Sequence, residues 1–138
     1  MRVEPGIAAA KLARDAVIEW LHEWDLDEVA GSIVLITSEL VTNASVHAAT
    51  PIEMSLSADP AVLELVVGDQ DPRPPVQRAA GGSRDGGRGL IIVDRLADDW
   101  GVAARPTGKD VWARLTPPAA WSHRSTCPNR AQSFRDPD

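Results

Sequence analysis

Three polar residues at helical spacing are the part of this sequence that could do chemistry. Glu39, Asn43 and His47 recur every four residues within a long apolar run, among neighbours such as Leu35 and Val46. On a helix this spacing puts them on one slowly turning stripe among aliphatic neighbours. A carboxylate and a carboxamide there are costly to desolvate unless a metal ion, water or a polar ligand meets them. The stripe therefore predicts a binding site, unless it faces solvent and His47 only caps the helix end.

An acid and a glycine cluster follow downstream. Val62 to Asp69 is an apolar, strand-like run that ends in a carboxylate, and Gly86-Gly87-Arg88-Gly89 opens a further helix. A helix N-terminus offers free N–H groups to a phosphate, and a neighbouring arginine adds positive charge. The cluster therefore suits a phosphate-bearing ligand, although a solvated loop whose arginines aid solubility is the alternative.

These motifs resemble those of the GHKL (Bergerat-fold) ATPase superfamily, and within it the small anti-sigma-factor/serine-kinase branch. The matching segments are Glu39-x-x-x-Asn43-x-x-x-His47 as the N box, Asp69 as the first G box and Gly87-Arg88-Gly89-Leu90 as the second. The resemblance covers roughly residues 8 to 116. It implies an α+β fold, namely a two-layer α/β sandwich with a mostly antiparallel sheet of about four strands and helices packed on one face.

The resemblance also implies which residues bind ATP and Mg²⁺. Asn43 offers a neutral carbonyl oxygen to the Mg²⁺ ion, and Glu39, one turn earlier, is the catalytic base. Asp69 accepts a hydrogen bond from the adenine amino group, which a 6-oxo purine cannot donate, so ATP is expected to bind in preference to GTP. The remaining nucleotide-binding residues lie around the phosphates: Gly86, Gly87, Arg88, Gly89 and Leu90.

Two segments depart from the family's pattern. The first G box usually reads Asp-x-Gly-x-Gly, but Asp69 is followed here by Gln70-Asp71-Pro72-Arg73. The third box, normally glycine followed by threonines, reads Gly108-Lys109-Asp110, so a base contact from a threonine hydroxyl is missing. A P-loop does not explain Gly108-Lys109, because Ala103 stands where its first glycine would be.

Periodicity and chain breakers predict the elements that position these motifs. A first helix spans the apolar repeat from Ile7 to Trp24, and a second runs from Asp27 or Glu28 until Thr50-Pro51 stops it. The remaining predictions, in chain order, are strands from Ile52 to Ser57 and from Val62 to Asp69, a nucleotide lid from Gln77 to Gly87, a helix from Gly89 to Leu96, and a hairpin of Asp99 to Ala104 with Val111 to Leu115.

Composition bounds the number of domains and the compartment. The chain has 138 residues, enough for one domain with its own core. We expect that domain over residues 1–116 and a disordered tail over residues 117–138. The single Cys127 cannot form an internal disulfide, and no apolar run approaches the length of a membrane span, which predicts a cytoplasmic protein. The net charge of −6 argues against nonspecific binding to nucleic acid or to a membrane.

The first functional hypothesis is an ATP-binding regulatory serine kinase. By resemblance, it would transfer the γ-phosphate of ATP to a serine of a small anti-sigma-factor antagonist protein and could sequester a sigma factor. In related anti-sigma kinases the first region helps to form a dimer, so a homodimer is also implied. The alternative is a degenerate GHKL module that acts by protein binding alone, with weak or no nucleotide binding. A histidine-kinase catalytic domain is a third and weaker option, because the sequence shows no dimerisation helix with a phosphoacceptor histidine.

Overall fold

The computed structural model describes residues 1–73 and 87–121, with the backbone alone for residues 87–89. Three helices pack on one face of a single antiparallel sheet, so the predicted α+β sandwich is confirmed. The predicted lid lies outside the described residues except for Gly87. In chain order the elements are β1 (Arg2–Val3), α1 (Ala9–Glu23), a 3-10 turn (Asp27–Val29), α2 (Ala30–Asn43), a π-helical turn that continues it (Ala44–Ala48), β2 (Ile52–Ala58), β3 (Leu63–Asp69), α3 (Gly87–Leu96), β4 (Asp99–Arg105) and β5 (Gly108–Leu115).

The sheet has five strands in the order β1-β2-β3-β5-β4, and each neighbouring pair is antiparallel. The prediction of about four strands is therefore one strand short. The additional strand is β1, in which Arg2 pairs with Glu53 and Val3 with Ile52. Two residues are too few to show the alternation by which a strand is identified from sequence.

The core lies between the sheet and the helices. In the central strand β3 the alternate residues Leu63, Leu65 and Val67 are buried, and in β5 Val111, Ala113 and Leu115 are buried in the same way. Alternation along a strand sends every second side chain to one face, here the face that the helices cover. The same phase continues to the ends of the two strands, where Asp69 lies opposite Lys109.

Helix α1 buries a narrow stripe of small and aliphatic side chains. Its buried residues recur every four positions, and they are Ala9, Ala13, Val17 and Leu21. The predicted start at Ile7 is wrong, because the helix begins at Ala9 and Ile7 is fully exposed before it. Small alanines on the inward stripe let α1 pack closely on α2, while Leu12 remains half-exposed on the outer side.

Helix α2 lies between α1 and α3 and ends as predicted. Its π-helical turn closes at Ala48, Ala49 adopts a left-handed conformation with φ 51°, and Pro51 cannot continue a helix.

By length and composition alone, the segment Asp27–Ala48 is apolar enough to cross a membrane, so the expectation that no run approaches that length is wrong. The polar residues of the N box interrupt that run, so it does not stand out in the sequence. A core helix of a folded domain also passes this test of length and composition.

The chain stays in contact with the core beyond β5. Pro117 is buried, and the indole Nε1 of Trp121 donates a hydrogen bond of 2.7 Å to the backbone carbonyl of Trp24. Trp24 itself is fully buried at the end of α1. Residues 122–138, most of the predicted tail, lie outside the described residues, and the predicted boundary after residue 116 stays a prediction.

Candidate functional site

A cavity of about 170 Å³ lies where α2 and α3 meet the ends of β3 and β5. Its apolar walls come from Leu40, Ala44, Val67, Leu90 and Val111. A mostly apolar cavity with a few convergent polar groups is typical of a small-molecule site. The polar lining residues are Asn43, His47, Asp69, Asp71, Arg73 and Lys109.

Asp69 and Lys109 form a buried ion pair in this cavity. Lys109 Nζ lies 3.1 Å from Asp69 Oδ1 and 3.1 Å from Oδ2. The two side chains are only 3% and 8% exposed, and the residues are direct partners across β3 and β5. Because a buried charge is costly without a partner, each residue makes the burial of the other tolerable.

The segment after β3 is tied to the same carboxylate. The backbone N–H of Asp71 donates to Asp69 Oδ1 at 2.8 Å, and Lys109 Nζ donates to the Asp71 carbonyl at 2.9 Å. Arg73 holds the Asp71 carboxylate through Nε at 3.0 Å and Nη2 at 2.6 Å. These hydrogen bonds from Arg73 lower the pKa of Asp71 well below its ordinary value. Side-chain bonds therefore order the segment where the family's pattern has glycines.

The predicted residues of α2 lie at different places relative to the cavity. Asn43, the last residue of the regular α-helix, lines the cavity, and so does His47 in the following π-helical turn. Glu39 is half-buried one turn earlier and is not among the lining residues. The described residues contain no group of three or more His, Cys, Asp or Glu that could hold a metal. The Asn43 carboxamide nevertheless fits Mg²⁺, which takes most of its ligands from phosphates and water.

Helix α3 begins earlier than predicted. Gly87, Arg88 and Gly89 form its first turn, so the predicted start at Gly89 is two residues late. The first N–H groups of a helix have no partner within it and carry the positive end of the helix dipole. Leu90 is buried and lines the cavity, which fixes the start of α3 next to it. Gly86 lies outside the described residues.

Sequence reasoning missed Asp71, Arg73 and Lys109 as cavity residues. Lys109 could have been found from the alternation of side chains along a strand. Positions 109, 111 and 113 share one face of the strand, and Val111 and Ala113 are apolar residues expected on the buried face. No such periodicity exists for Asp71 and Arg73, which stand among prolines. Their opposite charges at positions i and i+2 were the available hint.

Comparisons with known proteins agree with this architecture. Residues 3–115 match the family model of the histidine kinase-like ATPase domain. The chain is similar to the RsbU and RsbW domains of Rv1364c from Mycobacterium tuberculosis, with 20% identity and a TM-score of 0.59 over 88% of this chain and 34% of that one. It is also similar to the histidine kinase domain of the blue-light-activated histidine kinase from Erythrobacter litoralis EL346, with 20% identity and a TM-score of 0.52 over 80% and 60%.

The two kinds of similarity carry different weight. This chain spans about a third of the Mycobacterium structure and three fifths of the Erythrobacter one, and at 20% identity both likenesses show the fold alone. No curated protein matches the chain significantly. The family match, in contrast, runs from β1 to the end of β5 and includes the described part of the cavity. The chain therefore belongs to the family of histidine kinase-like ATPase domains, which have the GHKL fold.

Proposed function

We propose that this protein is a cytoplasmic, ATP-binding regulatory serine kinase. It transfers the γ-phosphate of ATP to a serine of a small anti-sigma-factor antagonist protein, and it could also sequester a sigma factor. The observation that carries the proposal is the cavity that brings Asn43, Asp69 and Leu90 together from three separate elements. Membership of an ATPase family supports the nucleotide. The serine acceptor is supported by the resemblance of the three motifs together to the small anti-sigma-factor/serine-kinase branch.

The adenine base fits the apolar part of the cavity. Val67 and Leu90 offer aliphatic walls, and the Asp69 carboxylate is an acceptor for the amino group of the base. A volume of about 170 Å³ is below the 300 Å³ or so at which complete ligand pockets begin, so these walls suit the base rather than the whole nucleotide. A 6-oxo purine would put a carbonyl against that carboxylate, so we expect ATP to bind more tightly than GTP.

Asn43 and the first turn of α3 are the groups that would hold the phosphates. The backbone N–H groups of Gly87, Arg88 and Gly89 would hold phosphate oxygens at the positive end of the helix dipole. Asn43 would hold Mg²⁺, which supplies charge neutralisation on the phosphates when it is bound. Gly86 precedes this turn and belongs to the same proposed phosphate site.

Glu39 is the proposed catalytic base. Its carboxylate would accept the proton of the serine hydroxyl as the serine oxygen forms its bond to the γ-phosphorus. The bond from that phosphorus to the bridging oxygen breaks at the same time, and ADP leaves with the electron pair. Glu39 is half-buried on α2 one turn before Asn43, so base and metal ligand lie on neighbouring turns.

Calorimetric titration with ATP, ADP and GTP, with and without Mg²⁺, tests the nucleotide part of this proposal. We expect Mg²⁺-dependent binding of ATP that Asn43→Ala weakens about tenfold, because a lost ligand is worth roughly 1.4 kcal/mol. Thr42→Ala is the matched control, since Thr42 is an exposed neighbour on the same helix. If the folded wild type binds no nucleotide, the kinase proposal is wrong.

Phosphotransfer needs its own measurement. Where a neighbouring gene encodes a small antagonist-domain protein, that protein is incubated with ATP and the kinase, and phosphoserine is detected by mass spectrometry. Glu39→Gln should lose about a hundredfold or more of the transfer rate while it still binds ATP, because a general base typically contributes that much. Glu23→Gln, an exposed substitution at the end of α1, should keep the wild-type rate.

A nucleotide-free binding module is the second candidate. The observation that favours it is the Asp69–Lys109 pair, since a carboxylate already bonded to an ammonium is a weaker acceptor for an incoming base. In that case the titrations give no heat, and the protein works through contact with a partner alone. The calorimetry above separates the two candidates.

A homodimer belongs to the proposal. Large apolar side chains remain exposed in and beside α1, α2 and the following turn, namely Ile7, Leu12, Ile18, Leu35 and Val46. Exposed apolar surface of this kind supports a protein interface. Light scattering of the purified protein should give twice the monomer mass of 14.8 kDa, and Leu12→Asp should return it to the monomer.

A further inference from the structure

We propose that Lys109 reads the adenine base directly, by donating a hydrogen bond to the ring nitrogen N1 while Asp69 accepts one from the 6-amino group. This inference rests on the proposed function, because it needs ATP in the cavity. With this contact, the two side chains of the buried ion pair together recognise two adjacent groups of the base, the 6-amino group and N1.

The ammonium has a donor left for this contact. Lysine Nζ carries three N–H groups. One N–H is donated to Asp69 Oδ1 at 3.1 Å, with Oδ2 at the same distance in the ion pair, and a second N–H is donated to the Asp71 carbonyl at 2.9 Å. Among the described residues these are the partners of the Lys109 ammonium, and Lys109 lines the cavity.

The carboxylate likewise keeps an acceptor position. An ionised carboxylate offers about four lone-pair sites. Asp69 Oδ1 accepts the Asp71 N–H at 2.8 Å, whereas Oδ2 is 3.1 Å from Lys109 and is the oxygen better placed to accept a further donor. An acceptor and a donor therefore stand 3.1 Å apart in the cavity.

Adenine has the complementary pair of atoms. Its 6-amino group is a donor, and N1 next to it is an acceptor. In guanine or hypoxanthine the same two positions are a carbonyl and an N1–H, so the order of donor and acceptor is reversed. A 6-oxo purine would thus place its carbonyl against the carboxylate of Asp69 and its N1–H against the ammonium of Lys109. The two residues together discriminate more strongly than Asp69 alone.

A purely structural role is a weaker explanation of the pair. Replacing a buried ion pair by apolar residues of similar volume is often neutral or stabilising, so such a pair adds little to stability. Both partners also line a cavity rather than the close-packed core, although they continue the inward phase of two apolar strands. A few polar groups that converge on a mostly apolar cavity are candidates for a functional site.

The test uses the wild-type protein and atom-specific analogues of ATP. Calorimetry compares ATP with 1-deaza-ATP, in which C–H replaces N1, and with 7-deaza-ATP as the matched control that retains N1. We expect 1-deaza-ATP to bind about 10- to 100-fold more weakly, since it leaves a charged donor without a partner. The 7-deaza analogue should bind within a few-fold of ATP. Equal affinity for ATP and 1-deaza-ATP overturns the inference while the proposed function stands, whereas absence of ATP binding overturns both.

A matched pair of variants assigns the contact to Lys109. The chain has two lysines, and the other, Lys11, is exposed and bonded to Asp15. Lys109→Met should bind ATP and 1-deaza-ATP equally weakly and lose part of its preference for ATP over GTP. Lys11→Met should keep the full difference. If folded Lys109→Met, checked by circular dichroism, still distinguishes the two nucleotides, N1 has another partner and the inference is wrong; if that variant does not fold, the wild-type analogue series decides.

Discussion

The two ends of the cavity are formed by different kinds of chemical group. The base end comprises Asp69, Asp71, Arg73 and Lys109, whose charged groups pair with one another. Two neighbouring strands hold Asp69 and Lys109, and the segment that follows β3 holds the other two. The phosphate end comprises Asn43 and the first turn of α3, and it is built from the ends of two helices. Sheet pairing and ion pairs thus order one end, whereas a carboxamide and the backbone N–H groups of a first helical turn, which have no partner within the helix, form the other.

This difference indicates what each end contributes. Groups that are already paired in the free protein need little ordering when a ligand arrives, so the base end is suited to selecting the base. Helix N–H groups that have no partner within the helix carry the positive end of the helix dipole, which favours the binding of an anion. Changes at the base end should therefore alter folding stability as well as binding, and changes at the phosphate end should alter binding and turnover first.

Removal of one buried charge at the base end should have the largest effect on stability. Asp69→Ala leaves the Lys109 ammonium buried without its partner, and we expect the free energy of unfolding to fall by about 3–5 kcal/mol. Urea denaturation followed by tryptophan fluorescence measures it. Asp15→Ala breaks the exposed pair with Lys11 and should cost less than about 1 kcal/mol. Equal losses in the two variants would mean that the base end is not preordered by its ion pair.

Leu90 tests how firmly helix α3 is attached to the core, because its buried side chain is separate from the polar groups that form the phosphate end. Its side chain is 1% exposed, and Leu90→Ala should lower the free energy of unfolding by about 2–5 kcal/mol through lost burial and a cavity. Arg95→Ala, at an exposed position of the same helix, should stay within about 0.5 kcal/mol of the wild type. A Leu90→Ala variant as stable as the wild type would show that α3 is not docked through this residue.

Gly108 tests the close approach of the strands at the base end. A Cβ there would overlap the backbone carbonyl of Asp69, so Gly108→Ala should cost about 1–3 kcal/mol. Gly31 in α2 has open space around its Cα, and Gly31→Ala should be neutral or stabilise by up to about 1 kcal/mol. Thermal unfolding of both variants gives the comparison, and a stabilised Gly108→Ala variant would contradict the described register.

Replacement of Arg73 should have the smallest effect, which is a change in the pKa of the Asp71 carboxyl group. The hydrogen bonds from Arg73 lower the pKa of Asp71 in the folded protein, so this stabilisation is complete above the unfolded pKa of about 4 and is lost as pH falls through the lower folded pKa. In Arg73→Ala the pKa of Asp71 should rise toward about 4. Carboxyl-carbon NMR titration measures it, with Arg2→Ala as the exposed control. An unchanged pKa would assign the effect to other partners of Asp71.

Local patterns in the sequence were sufficient to predict the existence of the three helices and of four strands, and three of the predicted residues, Asn43, Asp69 and Leu90, line the cavity. The stop of α2 at Thr50-Pro51 follows from proline chemistry, and the strand that ends at Asp69 follows from its apolar run. The start of α1 was missed because Ile7 is apolar yet exposed, and periodicity alone does not distinguish the two cases. The short β1 was missed because two residues carry no period.

The sequence by itself determined which residues share a face, because the periods of helix and strand are local properties of the chain. It put Asp69 in phase with Val67, and Lys109 in phase with Val111. Only the tertiary structure decided that Asp69 and Lys109, 40 residues apart, are direct partners and that Asp71 and Arg73 join them. That pairing depends on the register between β3 and β5, which is set by the whole buried face of the sheet rather than by any neighbouring residues.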